Sequence, residues 1–223
     1  MAGTLYIVAT PIGNLEDMTL RAIRVLKEVD LIAAEDTRHT RKLLTHYDIH
    51  TRLVSFHEHN EITAVDRIVA QLREGTNIAL VTDAGTPAIS DPGFRLVRGA
   101  VEGGIAVEVI PGASAAISAL CVAGLPTDQF TFVGFLPDKE GKRCNKLEEL
   151  KAIEHTLVFY VSKWKVAPVI RDIIKVLGNR PAVLCRELTK LHQEVVRGTL
   201  EDILEAMGKK EVKGEITLVV GKE

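Results

Sequence analysis

Two hydrophobic periods alternate along the first half of the chain. TLYIVA, DLIAAE, RLVSF, NIALVTD and AVEVIP are short apolar runs bounded by polar or turn residues, and each predicts a buried strand. The intervening segments change to a helical period. TLRAIRVLKEV carries Leu20, Ile23 and Leu26 on one face with Thr19 as N-cap, and DTRHTRKLLTHY predicts the next helix. Asn60 stands where it would cap a third helix through Ile62, Val65, Ile68, Val69 and Leu72, closed by Gly75, and DPGFRLVRGAVEGG predicts a fourth. Short connections between alternating elements imply a mostly parallel sheet with helices on its faces.

Around residues 111–128 the pattern changes to a small-residue helix, PGASAAISALCVAGLPTDQF, read as the crossing into a second domain. The expected division is 1–113 and 114–223. The second half predicts strands at FTFVGF, TLVFYV, RPAVLCREL, EVVRG and EITLVVG, with helices at KLEELKAI, VAPVIRDIIKVL and TLEDILEAM. Its closely spaced last strands imply a mixed sheet, so the fold class is α/β in two domains.

Composition narrows the classes. Of 223 residues, 46% are hydrophobic and 26% charged, as expected of a soluble globular chain with cores to bury. No apolar run is long enough for a membrane span, and MAGTLYIVATP reads as a first strand rather than a secretory leader. Cys121, Cys144 and Cys185 lie far apart, which fits a reducing cytoplasm and neither a zinc site nor a disulfide framework. With a net charge of −2, any nucleic acid must be met by a local basic patch.

Candidate chemistry gathers where strands end, which is where open α/β sheets bind ligands. Pro11, Gly13 and Asn14 turn the chain after the first strand; Asp83 leads into Ala-Gly-Thr-Pro after the fourth; Pro111 and Gly112 follow the fifth, with Ser114 close by. Three such turns favour a binding cleft over mere chain reversal. The second strand ends on Glu35 and Asp36, followed at once by Arg38, His39, Arg41 and Lys42. An Asp36 N-cap would put Arg38, Arg41 and Lys42 on one face at i, i+3, i+4, with Leu43, Leu44 and Tyr47 turned to the core. That pattern fits a solvated charged face as well as a functional one. There is no GxxxxGK[ST], no GxGxxG after a strand and no GxSxG, which disfavours P-loop, dinucleotide-binding and serine-hydrolase readings. His57-Glu58-His59 lacks spaced partners, and no metal site is assigned.

Taken together, ATPIGNLEDMTLRA, AEDTRHTRKLL, SFHEHNE, DAGTPAISDPG, PGASAAISAL, GFLP, RELTKLHQE and GEITLVV resemble the tetrapyrrole methylase superfamily from Thr4 to Val220. Within it they are most similar to the branch that 2′-O-methylates a cytidine in the decoding region of 16S rRNA. The resemblance implies two α/β domains with S-adenosyl-L-methionine in the cleft between them, a homodimer, and 16S rRNA in the 30S subunit as partner, with no DNA and no membrane. Carried over residue by residue, it implies cofactor contacts from Pro11, Asp83, Ala84, Gly85, Thr86, Ile89, Ser114 and Ala115, and from Tyr160, Val161, Leu188, Ile216 and Thr217 in the second domain. It makes Glu35 or Asp36 the group that orients or deprotonates the acceptor, with Arg38 beside it. Arg41, Lys42, His57, Asn60, Arg186 and Lys190 become candidate RNA contacts; Lys139, Lys142, Arg143 and Lys146 would extend that surface.

Two departures stand out. Relatives commonly carry a Glu-Ser-Pro-His-Arg-like segment where this chain has Val161-Ser162-Lys163-Trp164-Lys165, and they often continue past the last strand, whereas this sequence ends at Glu223. The alternatives are a tetrapyrrole C-methyltransferase of the same fold, whose first loop tends to be richer in glycine and which lacks the Glu-Asp-Thr-Arg helix, and a non-catalytic cofactor-binding or RNA-binding module.

Overall fold

The computed structural model describes residues 1–208 and 213–222; the terminal Glu223 lies outside them. The chain divides into two compact units, Met1–Ser114 and Ala115–Glu223. In the first, β1 (Thr4–Val8), β2 (Leu31–Ala34), β3 (Leu53–Ser55), β4 (Ile78–Val81) and β5 (Ala106–Ile110) form a sheet of order β3-β2-β4-β1-β5, parallel throughout. The crossovers carry α1 (Leu20–Glu28), α2 (Thr37–His46), α3 (Glu61–Arg73) and α4 (Phe94–Glu102).

Both faces are covered, so β2 and β4 are buried at every position and read as continuous apolar runs. Alternation still sorts their side chains. Leu31, Ala33, Ile78 and Leu80 pack with Ile68 and Leu72 of α3 and Leu96 of α4, while Ile32, Ala34, Ala79 and Val81 pack with Val25 and Leu26 of α1 and Leu43 and Leu44 of α2. Thr19 caps α1, its Oγ1 accepting from the Ala22 amide at 3.1 Å. Asn60 departs from its expected capping role. Its Oδ1 accepts from the His57 amide at 2.8 Å and its Nδ2 donates to the Ser55 carbonyl at 3.1 Å, so it closes the turn after β3 instead.

The second unit runs α5 (Ala115–Ala123), β6 (Phe130–Phe135), α6 (Glu140–Leu150), β7 (Thr156–Val161), α7 (Val166–Leu177), β8 (Pro181–Arg186), β9 (Glu194–Thr199), α8 (Leu200–Met207) and β10 (Ile216–Val220). Its sheet has the order β6-β7-β10-β8-β9. Only β6 and β7 are parallel neighbours; the other pairs are antiparallel, which makes the sheet mixed. One face, with Leu157, Phe159, Leu184 and Leu218, packs on Leu147 of α6, Ile170 and Ile173 of α7, and Ile203 of α8.

The helix expected over KLEELKAI begins six residues earlier, at Glu140. Arg143, expected on an exposed RNA-binding loop, lies on the inner face of this helix and is 5% exposed. Its Nε donates to Asp172 Oδ2 at 2.6 Å, its Nη2 lies 2.5 Å from the same oxygen, and its Nη1 reaches the carbonyls of Pro137 and Asp138. A charged residue is not apolar enough to mark the inner face of a helix by periodicity, which is why the sequence pattern placed it outside. Among the described residues, no helix is long and apolar enough to cross a membrane.

Candidate active site

All five strands of the first sheet deliver their carboxyl ends to one rim. There Thr10 and Gly85 join the turns after β1 and β4 as an isolated antiparallel bridge, Thr10 N to Gly85 O at 2.8 Å and Gly85 N to Thr10 O at 3.1 Å. Gly85 sits at φ 90°, a left-handed conformation that glycine adopts without strain. Ala88 (φ 68°) and Ser90 (φ 63°) also occupy that region without being glycine. Such strain persists only where the surroundings hold it, and it gathers at binding and catalytic loops.

The rim carries a linked set of carboxylates. The buried Thr82 donates its hydroxyl to Glu35 Oε2 at 2.6 Å, and the Asp83 amide donates to the same oxygen at 3.3 Å. Asp83 in turn accepts the Asp36 amide at 3.1 Å. The ends of β2 and β4 are thereby locked together through acids. Burial, with nearby Glu35 and Asp36 adding to it, pushes the Asp83 carboxyl up from its ordinary range. Asp91, to which the sequence reading gave no role, shares this neighbourhood: burial first, then the charges of Glu35 and Asp83, push its carboxyl up to about 6, against the hydrogen bond it shares with Thr82. Its signal in the sequence was only the turn dipeptide Asp-Pro, which marks a loop without revealing burial.

Asp36 is the expected N-cap of α2. Its Oδ1 accepts from the Arg38 amide at 2.8 Å and the His39 amide at 3.4 Å, and its Oδ2 accepts from Arg38 Nη2 at 3.2 Å. The Arg38 guanidinium and these amides hold the carboxyl down at about 2. The exposed side chains of Arg38, Arg41 and Lys42 share one face of α2 and, with Thr45, line an open concavity. Leu43 and Leu44 are buried on the opposite face and Tyr47 is half-buried, as the spacing predicted.

The remaining candidates divide. Pro11 is buried, Asp83, Thr86, Ser114 and Ala115 are half-buried, and Ala84 and Ile89 are exposed. Thr86 Oγ1 donates to the Ala113 carbonyl at 3.3 Å, which ties the turn after β4 to the segment after β5. His57 Nδ1 is buried with no hydrogen-bond partner among the described residues. In the second unit the register sets Tyr160 opposite Thr217 and Val161 opposite Ile216. Alternation then separates these pairs: Val161 and Ile216 turn into the core under α7, so a ligand could meet only their backbone, whereas Tyr160 and Thr217 lie on the other face. Leu188 is buried just beyond β8.

Two expected RNA contacts are engaged by acids. Arg186 Nε meets Glu194 Oε2 at 2.9 Å, and Lys190 Nζ meets Glu187 Oε1 at 2.9 Å and Glu215 Oε2 at 3.1 Å. Both are about three-quarters shielded from solvent. Their sequence neighbours gave no warning of Glu215, which arrives from the far end of the chain beside β10.

Comparison with known proteins now bears on this rim. The family model of tetrapyrrole (corrin/porphyrin) methylases matches residues 4–204. The chain belongs to the tetrapyrrole methylase family. Membership in it makes this protein a methyltransferase. It is 56% identical over 218 residues to ribosomal RNA small subunit methyltransferase I of Halalkalibacterium halodurans, covering 98% of this chain and 75% of that protein. The same-named protein of Escherichia coli O157:H7 is 50% identical over 221 residues, covering 98% and 77%. Among solved structures, uroporphyrin-III C-methyltransferase of Thermus thermophilus superposes with a TM-score of 0.69 at 24% identity, covering 99% of this chain and 94% of that one. A structure of that enzyme with S-adenosyl homocysteine gives a TM-score of 0.67 at 21% identity, covering 98% and 97%. These neighbours share the two-sheet α/β fold.

Proposed function

We propose that this methyltransferase takes the methyl group of S-adenosylmethionine and places it on the ribose 2′-oxygen of a cytidine in the decoding region of 16S rRNA, acting as a cytoplasmic homodimer on the 30S subunit. The observation that carries the reading is the juxtaposition on α2: rim carboxylates at Glu35 and Asp36, then the exposed cations Arg38, Arg41 and Lys42 on one helix face. Relatives half identical or more and named as ribosomal RNA methyltransferases support an RNA acceptor over a tetrapyrrole.

The rim suits the donor chemically. S-adenosylmethionine is cationic at its sulfonium and ammonium groups, and here burial and the charges of neighbouring carboxylates, Glu35 among them, raise the proton affinity of Asp83 and Asp91. A cation placed among them would relieve that repulsion. The donor contacts that the family resemblance implies are Pro11, Asp83, Ala84, Gly85, Thr86, Ile89 and Ser114 of the first unit and Ala115, Tyr160, Thr217, Leu188 and the backbone of Val161 and Ile216 of the second. When bound, the donor supplies the electrophilic methyl group. The protein's task is to hold the acceptor oxygen in line with that group and to receive its proton.

The two adjacent acids divide this work. Asp36, held at about 2 by Arg38 and two amides, is a poor proton acceptor near neutral pH and serves to fix Arg38 and the start of α2. Glu35 is fixed through Oε2 by Thr82 and Asp83, which leaves Oε1 without a hydrogen bond among the described residues. We assign the acceptor-orienting and proton-accepting role to Glu35, and phosphate contact to Arg38, Arg41 and Lys42, with His57 and Asn60 near the acceptor.

The test is transfer of labelled methyl from S-adenosylmethionine to 30S subunits lacking the modification, followed by mapping of ribose methylation. A single labelled cytidine 2′-oxygen is the expected product. Label on a porphyrinoid and none on 30S would instead favour tetrapyrrole C-methylation; donor binding without transfer to either would leave a binding module.

A further inference from the structure

The second unit carries a feature that the rim chemistry does not use. β6 is an edge strand, and its register against β7 shifts between Phe132 and Gly134. In a regular strand, residues three apart face opposite sides of a sheet; the extra residue of a bulge reverses that. Phe132 and Phe135 therefore flank the same side chain, Tyr160, with ring centroids at 5.0 Å and 5.5 Å. Phe135 ends β6 with 61% of its surface exposed. β7 runs parallel to β6 and ends at Val161, so the segment that follows it shares that rim. It is Ser162-Lys163-Trp164-Lys165, and Trp164 is 66% exposed. An ion pair between Lys165 and Asp138 ties this segment to the turn after β6.

Two exposed aromatic rings on one rim leave apolar surface for a partner to cover. The surrounding charge indicates which partner. Lys139, Lys142 and Lys163 are exposed and have no acid partner among the described residues, while the local acids Asp138 and Glu140 are engaged by Lys165 and Lys175. Lys163 Nζ lies 4.7 Å from the Trp164 ring centroid, so cation and ring are presented together. Unpaired RNA offers the complement of this surface, with flat bases for the rings and phosphates for the lysines.

We propose that Phe135 and Trp164, with Lys139, Lys142 and Lys163, form a stacking surface for unpaired nucleotides of the RNA substrate. This rests on the RNA-methyltransferase reading above. It adds a second RNA contact, on a different unit from α2 and built from stacking rather than phosphate contact alone. Tyr160, implied in cofactor binding, leans on Phe135, so the stacking surface borders that implied site.

Trp164 is the single tryptophan of the chain, which makes it an intrinsic reporter. The full chain is titrated with a short single-stranded oligocytidylate while tryptophan emission and the anisotropy of a label on the RNA are followed together. Saturable quenching that tracks the anisotropy, and that weakens as salt is raised, is the expected result. Trp164→Ala should weaken RNA binding ~5- to 100-fold and Trp164→Phe much less, as for loss of one stacked base. In methyl transfer to 30S subunits, Trp164→Ala should raise KM by a similar factor and leave kcat unchanged. Unaltered emission on bound RNA, no RNA binding at all, or equal affinity and KM for Trp164→Ala would each overturn the proposal. So would quenching by anionic lipid vesicles or by an added protein but not by RNA. Failure of the enzymatic reading is read separately, as absence of label on 30S by the unaltered chain.

Discussion

The two units each contain an arginine bonded to an aspartate, and the pairs do opposite things. Arg38 and Asp36 sit at the open start of α2, where the guanidinium is 89% exposed. Arg143 and Asp172 join α6 to α7 with side chains 6% and 10% exposed. In the first pair water already solvates the charges, so the guanidinium is free to leave its partner for a phosphate. In the second both ions are largely withdrawn from water, and the two carbonyls on Nη1 supply further partners for the guanidinium. Pair chemistry alone therefore says little about function; burial decides whether an arginine holds the fold or meets a substrate.

The largest effect expected around this comparison falls on the acid beside the exposed pair. Glu35→Gln retains an oxygen to accept from Thr82 and Asp83 but removes the proton acceptor. Methyl transfer should drop by about 10²- to 10⁴-fold with unchanged donor affinity. Asp36→Asn should lose far less if Asp36 only caps and positions. Equal losses in single-turnover assays would mean that the two acids act as one unit.

Next in size is the buried pair. Arg143→Ala strands Asp172 inside the second core and should lower unfolding free energy by about 3–5 kcal/mol in urea titrations. The double change Arg143→Met with Asp172→Leu should recover most of that loss, because apolar replacements leave no charge unsolvated. If the single variant unfolds at the wild-type midpoint, the pair is not holding α6 to α7.

Asp91 gives a pH test of the acidic rim. Its folded carboxyl titrates at about 6, above the ordinary value of 3.8, so the folded state binds the extra proton more readily than the unfolded one between those values. Its contribution is fully present below about pH 4 and is lost as pH rises through 6. Asp91→Asn, which imitates the protonated acid, should therefore be more stable than the parent at pH 7.5 by on the order of 1–2 kcal/mol and indistinguishable from it at pH 4. Asp36 runs the other way: its carboxyl sits near 2, so its stabilisation is present above about pH 4 and lost as pH falls toward 2. Thermal unfolding across pH with both asparagine variants separates the two.

Much of this was legible before any coordinates. Short apolar runs placed the ten strands of the described residues, and the motifs at Glu35-Asp36 and Asp83-Ala84-Gly85-Thr86 lie on one rim because parallel strands must end on the same side. Long-range polar partners were not legible. Arg143 looked like its neighbours Lys142 and Lys146 until Asp172, 29 residues away, was brought against it. Lys190 looked free until β10 delivered Glu215. Val161 and Ile216 were expected among the cofactor contacts, but local sequence does not say that their side chains turn into the core, because it does not show which face of a two-sided apolar strand points to a ligand. Such signals depend on which distant segment packs opposite.

The smallest effect concerns the exposed pair itself. Among the described residues Arg38 pairs only with Asp36, and its side chain is 89% exposed, so Arg38→Ala should leave the unfolding midpoint unchanged. If the guanidinium meets RNA, the same variant should raise the KM for 30S subunits several-fold. It should also reduce the slope of log affinity against log salt by about one phosphate contact. Removing Arg38 frees Asp36 from its strongest partner and lets its carboxyl rise from about 2 toward the ordinary range, still ionised at neutral pH. The loss should therefore appear in RNA affinity and not in the pH–rate profile above pH 5. A flattened profile with unchanged salt slope would instead make Arg38 a support for Asp36, and the exposed pair would then resemble the buried one in purpose despite its solvent.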